Sequence, residues 1–524
     1  MCEKIINFTT DFTIMKTSSM KRRAILALMT LISAGIMSAD DYRVNYEASA
    51  IGTAGSGDFA PYFLSAMSHG KIVSAGNAWV EGKAWRPMSA DERFSYGFGI
   101  DLMAGYASSV DYARYNEADG QWFVHSLHPS RVHIQQLYGE VKYRGVFLTV
   151  GMKERGSALL NTRLSSGDLI ESGNARPIPQ ARVGFIDFQD IPFTRGWVQI
   201  QGELSYGKMT DSDWWENHFN RFNYHYTTGE WYHYKRCYFR TKPSERFSAT
   251  VGMQASAHFG GTTYNYFDGE NVEIVHNRVN LKAFWDVFIP KEGNGEAYYL
   301  GNHVGSWDVM LRYRMRNNDE IKGYMTSPWE DGSGIGKLNG FDGVWGVEYR
   351  RASKGIVNAA LVEYLDFTNQ SGPIHYDPDD VSGGTITDRG SGADNYYNNA
   401  FYNSYANYGM SIGTPALMAP VYNRDGYLAY TCNRMRGFHA AIEGSVTHDL
   451  DYRAKVSYRK AWGEGFILLP EPVHSTSVMV EADYRIPSVK GLSVKGSLAL
   501  DRGDMPGNAF GALVTVSYNG SIKF

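Results

Sequence analysis

Apolar and polar side chains alternate with period two along much of this chain, most cleanly over Phe510 to Phe524 (FGALVTVSYNGSIKF). Ala512, Val514, Val516, Tyr518, Ile522 and Phe524 share one parity, while Thr515, Ser517, Asn519, Ser521 and Lys523 share the other with Leu513. Successive side chains of a strand point to opposite faces, so the spacing predicts a strand with one apolar and one small polar face. Lipid outside and a wet lumen inside would suit those faces. A strand of a soluble sandwich is the alternative reading.

Upstream, the same alternation comes as hairpins. Leu492 to Leu500 places Leu492, Val494, Leu498 and Leu500 on one face; Val478 to Ile486 places Val478, Val480, Ala482, Tyr484 and Ile486 out, with Glu481, Asp483 and Arg485 in. Phe438 to Val446 and Tyr452 to Trp462 form a second pair turned at Thr447 to Leu450, and a longer connection from about Gly463 to Ser475 separates the two pairs. Further short turns fall near Arg351 to Gly355, Asn317 to Asp319, Thr241 to Glu245, Ile191 to Phe193, Arg144 to Gly145 and Pro87 to Asp91. Short turns alternating with long connections give short turns at one rim and long loops at the other. Segments starting near residues 43, 76, 92, 130, 145, 179, 194, 231, 246, 303, 320, 341, 355, 436, 451, 476, 491 and 509 number about eighteen. The expected fold is therefore all-β: a transmembrane antiparallel barrel of about 18 strands with long extracellular loops. Closure requires Phe510–Phe524 to pair with Arg43–Ile51, where Val44, Tyr46, Ala48 and Ala50 alternate with Asn45, Glu47 and Ser49.

One segment breaks the period. In Asn280 to Lys291, Leu281, Phe284, Trp285 and Phe288 recur at i, i+3, i+4 and i+7, which predicts a short helix in the loop between strands nine and ten, folded into or over the barrel mouth as a plug.

Composition agrees with a barrel. The 524 residues are 43% hydrophobic and 14% aromatic, with 36 Tyr and 56 Gly, and a mean hydropathy of −0.36 is too polar for a helical membrane protein. Tyr and Trp would supply the interfacial girdles, although a large secreted all-β protein has a similar composition. Lys21, Arg22 and Arg23 precede the apolar run Ala24 to Met37, and Met37-Ser38-Ala39 offers a cleavage site, so residues 1–39 read as an amino-terminal extension and signal peptide ahead of a single domain over 40–524. The leader holds five basic and two acidic residues; removing that net +3 from the chain's −4 leaves −7. A mildly acidic exported protein is a poor partner for nucleic acid. Cys237 and Cys432 carry no metal-site spacing; they could pair, or stand as ordinary lumenal or loop cysteines.

The stretches SGNARPIPQ (Ser172 to Gln180), SPWEDGSGIGKLNGFDG (Ser327 to Gly343) and LDFTNQSGPIHYDP (Leu365 to Pro378) resemble the Wzi-type capsule-assembly proteins of Gram-negative bacteria, along nearly the whole mature chain. The resemblance implies an eighteen-stranded outer-membrane barrel that binds capsular or surface polysaccharide and helps hold capsule on the cell. It carries no catalytic motif. An aromatic carboxyl-terminal residue is a further mark of outer-membrane barrels, and implies contact with outer-membrane lipid and insertion by the barrel-assembly machinery through Phe524.

The residues offer candidate sugar contacts. In the long loop from Asn369 to Arg434, Tyr396, Tyr397, Phe401, Tyr402, Tyr405 and Tyr408 are interleaved with Asn395, Asn398, Asn399, Asn403 and Asn407. Aromatic faces stack on the C–H faces of sugars and amides bond hydroxyls; equally, such loops pack on themselves to close a barrel. Trp329 with Glu330 and Asp331, the cluster Trp214, Trp215 and Trp231, and Arg176 in the first of the three stretches are further candidates. On the lumenal parity, Arg312, Arg314 and Arg316, and Arg453, Lys455 and Arg459, could attract an acidic polymer. Internal pairing is the alternative, with Glu443 opposite Lys455, His439 opposite Arg459 and Glu481 in reach of Arg459.

Chemistry is sparse. Gly409-Met410-Ser411-Ile412-Gly413 matches GxSxG, but a nucleophile elbow needs a strand–turn–helix setting. Asp377, Asp379 and Asp380 lack the EF-hand spacing. No cofactor is implied. Three functions remain: a surface lectin that retains capsule, a porin or glycan channel, and an outer-membrane hydrolase acting on lipid or glycan.

Overall fold

The computed structural model describes residues 43–116, 118–266, 271–290, 300–330, 332–372 and 394–524. The leader expected over residues 1–39, Asp331, and Asp377, Asp379 and Asp380 lie outside them. The chain forms two compact units: Tyr46–Gly520 carries the barrel, and the other consists of Met1–Asn45 with Ser521–Phe524, whose described residues are extended up to Lys523.

Eighteen antiparallel strands close the barrel. In chain order they are β1 (Arg43–Ser56), β2 (Asn77–Arg86), β3 (Phe94–Ala107), β4 (Val132–Tyr143), β5 (Val146–Met152), β6 (Gln180–Phe185), β7 (Val198–Lys208), β8 (Trp231–Thr241) and β9 (Phe247–Phe259). They continue as β10 (Asn302–Arg314), β11 (Glu320–Trp329), β12 (Gly343–Arg350), β13 (Ala359–Asp366), β14 (Met435–Ser445), β15 (Leu450–Gly463), β16 (Leu468–Arg485), β17 (Leu492–Gly503) and β18 (Ala509–Lys523). A two-residue piece, Gln189–Asp190, also pairs with β7, so β6 is one interrupted strand. Each strand pairs with its sequence neighbour, and β18 returns to β1. Across that seam Ser49 and Ser517 share a hydroxyl hydrogen bond of 2.9 Å on the lumenal side, and the rings of Tyr46 and Tyr518 lie 6.2 Å apart outside.

Alternation sets the two faces. On β18, Val514, Val516 and Tyr518 are exposed outward and Leu513 points in among the polar parity. Val80, Ile100, Leu102, Val251, Leu311, Val362 and Leu498 extend this apolar outer surface around the wall. No described helix is long and apolar enough to cross a membrane; a closed sheet does so with every backbone group paired.

The lumen is filled. Residues 153–179, between β5 and β6, leave the wall and cross to β12–β15. Asn161 Nδ2 donates to Glu348 on β12 (2.9 Å), the Ser166 amide to Glu363 on β13 (2.7 Å), and Arg163 pairs with Glu443 on β14 (2.9 Å). Arg453 on β15 donates to the Arg163 carbonyl (3.0 Å). Leu160, Leu164, Leu169 and Ile170 of this loop share the main apolar core with Tyr232, Tyr234, Tyr324 and Leu361 of the wall, so the core lies inside the barrel. The returning arm is tied by Arg182 of β6, which pairs with Glu203 and, at 2.6 Å, with Glu171. On the periplasmic side of the loop tip a cavity of about 500 Å³ opens between Arg163, Arg350, Arg351, Lys354 and Glu443.

Four expectations need correction. The helix forms as predicted, Leu281–Phe288 (α1), with the Asn280 side chain accepting from the Ala283 amide at 2.9 Å. It does not plug the mouth; it packs on the outside of the wall, because Phe284 finds its apolar partners in the outward-facing Tyr206, Trp231 and Phe259. The connection expected from Gly463 to Ser475 is a tight hairpin, with β16 beginning at Leu468. Pro470 and Pro472 suggested a loop, but the ladder jumps from Gly463↔Leu468 to Ala461↔Val473, and both prolines sit in that bulge, where no ladder amide is required. Across β14 and β15, Glu443 faces Arg453 and His439 faces Ser457, two residues from the expected register. A slip of two preserves the faces, so Arg453, Lys455 and Arg459 still point inward. Arg453 pairs with Glu481 (2.9 Å), whereas Arg459 stacks on Tyr62. Arg312 and Arg314 both pair with Glu320. Finally, Cys237 and Cys432 are free, Cys432 buried in the outer loop and Cys237 on the outward parity of β8, opposite Met253.

Replacing the crossing segment 157–172 by a short Gly-Ser linker is expected to convert a non-conducting barrel into one with stable current steps in planar bilayers. Equal conductance before and after would show that the loop does not occlude the lumen.

Candidate functional site

Three sequence stretches that are remote along the chain converge beneath the outer rim. Ser172 Oγ donates to the carbonyls of Ile412 and Gly413 (3.2 and 2.7 Å), and Asn174 Nδ2 donates to that of Ser411 (2.9 Å). Asp342 accepts from the amides of Asn369 (3.0 Å) and Gln370 (2.7 Å) and from the Tyr396 hydroxyl (2.9 Å). Asn339 Nδ2 donates to the Pro328 carbonyl (2.7 Å) and to the Tyr396 hydroxyl (3.0 Å). Residues 332–342 and 394–434 thus form a lid locked onto the lumen-crossing loop. Ser411 is buried in this lid, on a two-residue ladder pairing Ala406 with Ser411, which is not a strand–turn–helix elbow. No three of His, Cys, Asp and Glu converge on a metal position among the described residues.

The tyrosines expected to meet sugar are inside. Tyr396, Tyr397, Tyr402 and Tyr405 are each 2% exposed or less. Tyr397 donates its hydroxyl to the Leu169 carbonyl (2.5 Å) and Tyr405 to that of Ile170 (2.9 Å), both on the crossing loop. No ring face remains for a glycan. Backbone carbonyls buried in the lumen need donors, and tyrosine supplies one at the end of a large apolar body, whose burial contributes about 1.5–3 kcal/mol. Asn398 is likewise occupied, donating to Glu464 and the Tyr430 carbonyl and accepting from the Tyr430 amide. Asn399 accepts from the amides of Phe401 and Tyr402. Trp329 is buried at the end of β11. Arg176 stacks on Tyr408, 4.7 Å from the ring centre, while its carbonyl accepts from Asn407. Trp215 is buried in the neighbouring loop, Trp214 stacks on His218 at 3.9 Å, and Trp231 belongs to the outer wall under α1.

Burial also sets the charge state of the lid. It raises the Asp211 and Asp342 carboxyls to about 6 against donors that pull the other way: the Tyr408 amide and Trp215 indole on Asp211, and the contacts already given for Asp342. Glu230, held by Asn403, is pushed well above the usual carboxylate range by the same cause.

The aromatic faces left open lie elsewhere. The hairpin Val110–Asn116/Gln121–Leu127 rises from the loop between β3 and β4 and presents Tyr115 and Trp122, 40% and 56% exposed. Their rings are 5.3 Å apart; Trp122 lies 5.7 Å from Phe222, and Phe222 lies 4.8 Å from Tyr427, itself 40% exposed. This continuous row crosses three loops stitched by amides. Asn220 accepts from the Tyr115 amide (3.0 Å) and donates to the Ala113 carbonyl (3.0 Å), and Asn223 donates to the Gly426 carbonyl (2.9 Å). The hairpin falls between the segments expected to start near residues 92 and 130, where no further strand is expected from the sequence. The missed signal is Asp119-Gly120 between alternating residues, a hairpin turn with Gly120 at φ +64°.

No protein-family model and no characterised protein sequence matches the chain. Among solved structures it is similar to Wzi of Escherichia coli, described as an outer-membrane protein involved in group 1 capsule assembly and a carbohydrate-binding β-barrel. The identity is 12%, covering 96% of this chain and 89% of that one, with a TM-score of 0.51. OccAB2 of Acinetobacter baumannii matches at 8% identity over 92% of this chain and 98% of its own, with a TM-score of 0.46. The protein is an outer-membrane β-barrel. Its fold is that of the capsule-assembly barrel Wzi.

Removing either buried hydroxyl, by Tyr397→Phe or Tyr405→Phe, leaves a lumenal carbonyl with one donor fewer. Each is expected to weaken protection of amides 160–175 in hydrogen exchange by about 1–2 kcal/mol; unchanged protection would dissociate the lid from the loop. The raised carboxyls of Asp211 and Asp342 bind protons more tightly in the closed lid than when opened to water. Closure is therefore strongest below about pH 4 and is progressively lost as pH rises through about 6. Exchange of lid amides, corrected for intrinsic rates, is expected to be slower at pH 5 than at pH 7.5; the reverse order would contradict the assignment.

Proposed function

We propose that this barrel binds surface polysaccharide on the Tyr115–Trp122–Phe222–Tyr427 row, in which Tyr115, Trp122 and Tyr427 are exposed and Phe222 is half-buried between them, and helps assemble or retain capsule at the cell surface. The row carries the reading: four rings in sequence along the outer loops, set among fixed amides, suit stacking against successive sugar units. Its rigidity lowers the ordering cost of binding. The Wzi-type resemblance of the sequence and the fold shared with that carbohydrate-binding barrel support the same reading. The buried tyrosines then act as supports for the loops that carry the row. A loop crossing the lumen favours binding over the passage expected of a porin. The reading involves no catalysis, and Phe524 serves as the contact for barrel assembly.

Purified barrel is expected to retain polysaccharide from cells that express it, and Trp122→Ala with Tyr427→Ala to weaken retention at least about tenfold with the barrel still folded. Retention unaffected by the double change would place the glycan elsewhere; no retention by the unaltered protein, with normal capsule in a deletion strain, would reject the function.

A further inference from the structure

Helix α1 packs on the outside of the barrel wall. The residues it covers, Tyr206 on β7, Trp231 and His233 on β8 and Phe259 and Ala257 on β9, are paired across the sheet on a single parity. That parity is the outward one, since the intervening residues Glu203 and Arg236 form an ion pair of 2.8 Å in the lumen. Phe284 packs on Tyr206, Trp231 and Phe259 with ring separations of 4.9, 5.2 and 5.5 Å, and Phe288 lies 6.2 Å from His233. The helix therefore rests on a surface that, toward the periplasm, continues as Phe239 on β8, Val251 on β9 and Leu311 on the adjoining β10.

Its far side is apolar as well. Leu281, Trp285 and Ile289, one stripe at i, i+4 and i+8, are 89%, 55% and 41% exposed. Arg278 and Lys282 are exposed beside it. Both helix ends are closed by side chains: Asn280 accepts from the Ala283 amide, and Lys235, on the outward parity of β8, donates its ammonium to the carbonyls of Val287 and Phe288. Terminal carbonyls ordinarily rely on water. Here they have a cation from the wall, which also suits the negative end of the helix dipole. A helix with satisfied ends, an apolar stripe, a tryptophan and flanking cations is built for a lipid interface.

We infer that α1 is a lipid-binding helix seated in the outer leaflet, with Leu281, Trp285 and Ile289 among acyl chains. It anchors the loop between β9 and β10 to the membrane and screens Lys235 and His233 from lipid. The occupant follows from topology: the outward face of a membrane-spanning wall meets lipid along its apolar belt, and the helix lies at the outer end of that belt.

The test uses the full-length protein with Cys2→Ser, Cys237→Ser and Cys432→Ala, carrying a nitroxide at Leu281→Cys or, in a parallel sample, at Arg278→Cys, reconstituted in lipid bilayers. Power saturation is measured with oxygen, which concentrates in lipid, and with a water-soluble nickel chelate. At 281 oxygen is expected to relax the label severalfold more than nickel, with the preference falling or reversing at 278. Dominance of nickel at 281 would put the helix in water, and protection from both agents would mean that protein, such as a second copy, covers it; either result overturns the inference. Binding of polysaccharide does not enter the readout.

Discussion

Closure of the sheet is the constraint on which everything else in this protein depends. A strand in hydrocarbon has no water to satisfy its amides and carbonyls, so each of the eighteen strands needs two neighbours, and β18 must find β1. Once the ring is closed, period two assigns every wall residue to lipid or lumen. Glycine follows the same logic where wall side chains crowd: a Cβ at Gly99 would lie 2.5 Å from the ring of Tyr138, and one at Gly346 would lie 2.2 Å from that of Tyr324.

A ring this wide encloses more space than its inward side chains can fill, so the chain fills it with its own loops. Residues 153–179 cross the lumen and meet the far wall through amides and carboxylates as much as through leucines. Charges taken from water need partners. Lys71 lies 2.7 Å from both Glu81 and Glu154, and Arg182 binds Glu171 and Glu203. Such networks add little net stability compared with an apolar core, but losing one member strands the others, which holds the loop to one course.

Function is then left to what the lid does not consume. The tyrosines of residues 396–405 close the lumen, although Phe401 among them stays exposed, and a connected row of open rings belongs to a hairpin and two turns above it. The aromatic hairpin and the lid are thus one hydrogen-bonded assembly, tied through Tyr112, which donates to the Val421 carbonyl at 2.7 Å, while Ser65, between β1 and β2, adds a hydroxyl contact to Tyr422 at 3.0 Å.

The sequence by itself determined the wall: strand number, faces, the β1–β18 seam and, the tight β15–β16 hairpin apart, the alternation of short turns with long loops, because side-chain direction in a strand is local and repeats every two residues. It also determined that residues 281–288 form a helix. Tertiary structure decided what no local period encodes. An aromatic, amide-rich loop reads alike whether its rings face sugar or a buried carbonyl, and only the course of residues 153–179 shows that Tyr397 and Tyr405 serve the latter. An amphipathic helix reads alike over a mouth or against a wall, until the outward Trp231 and Phe259 claim its apolar side. Pro470 and Pro472 signal a break that a bulge absorbs. In each case the deciding partner lies far along the chain, and burial by a distant partner leaves no periodic trace in the residues it buries.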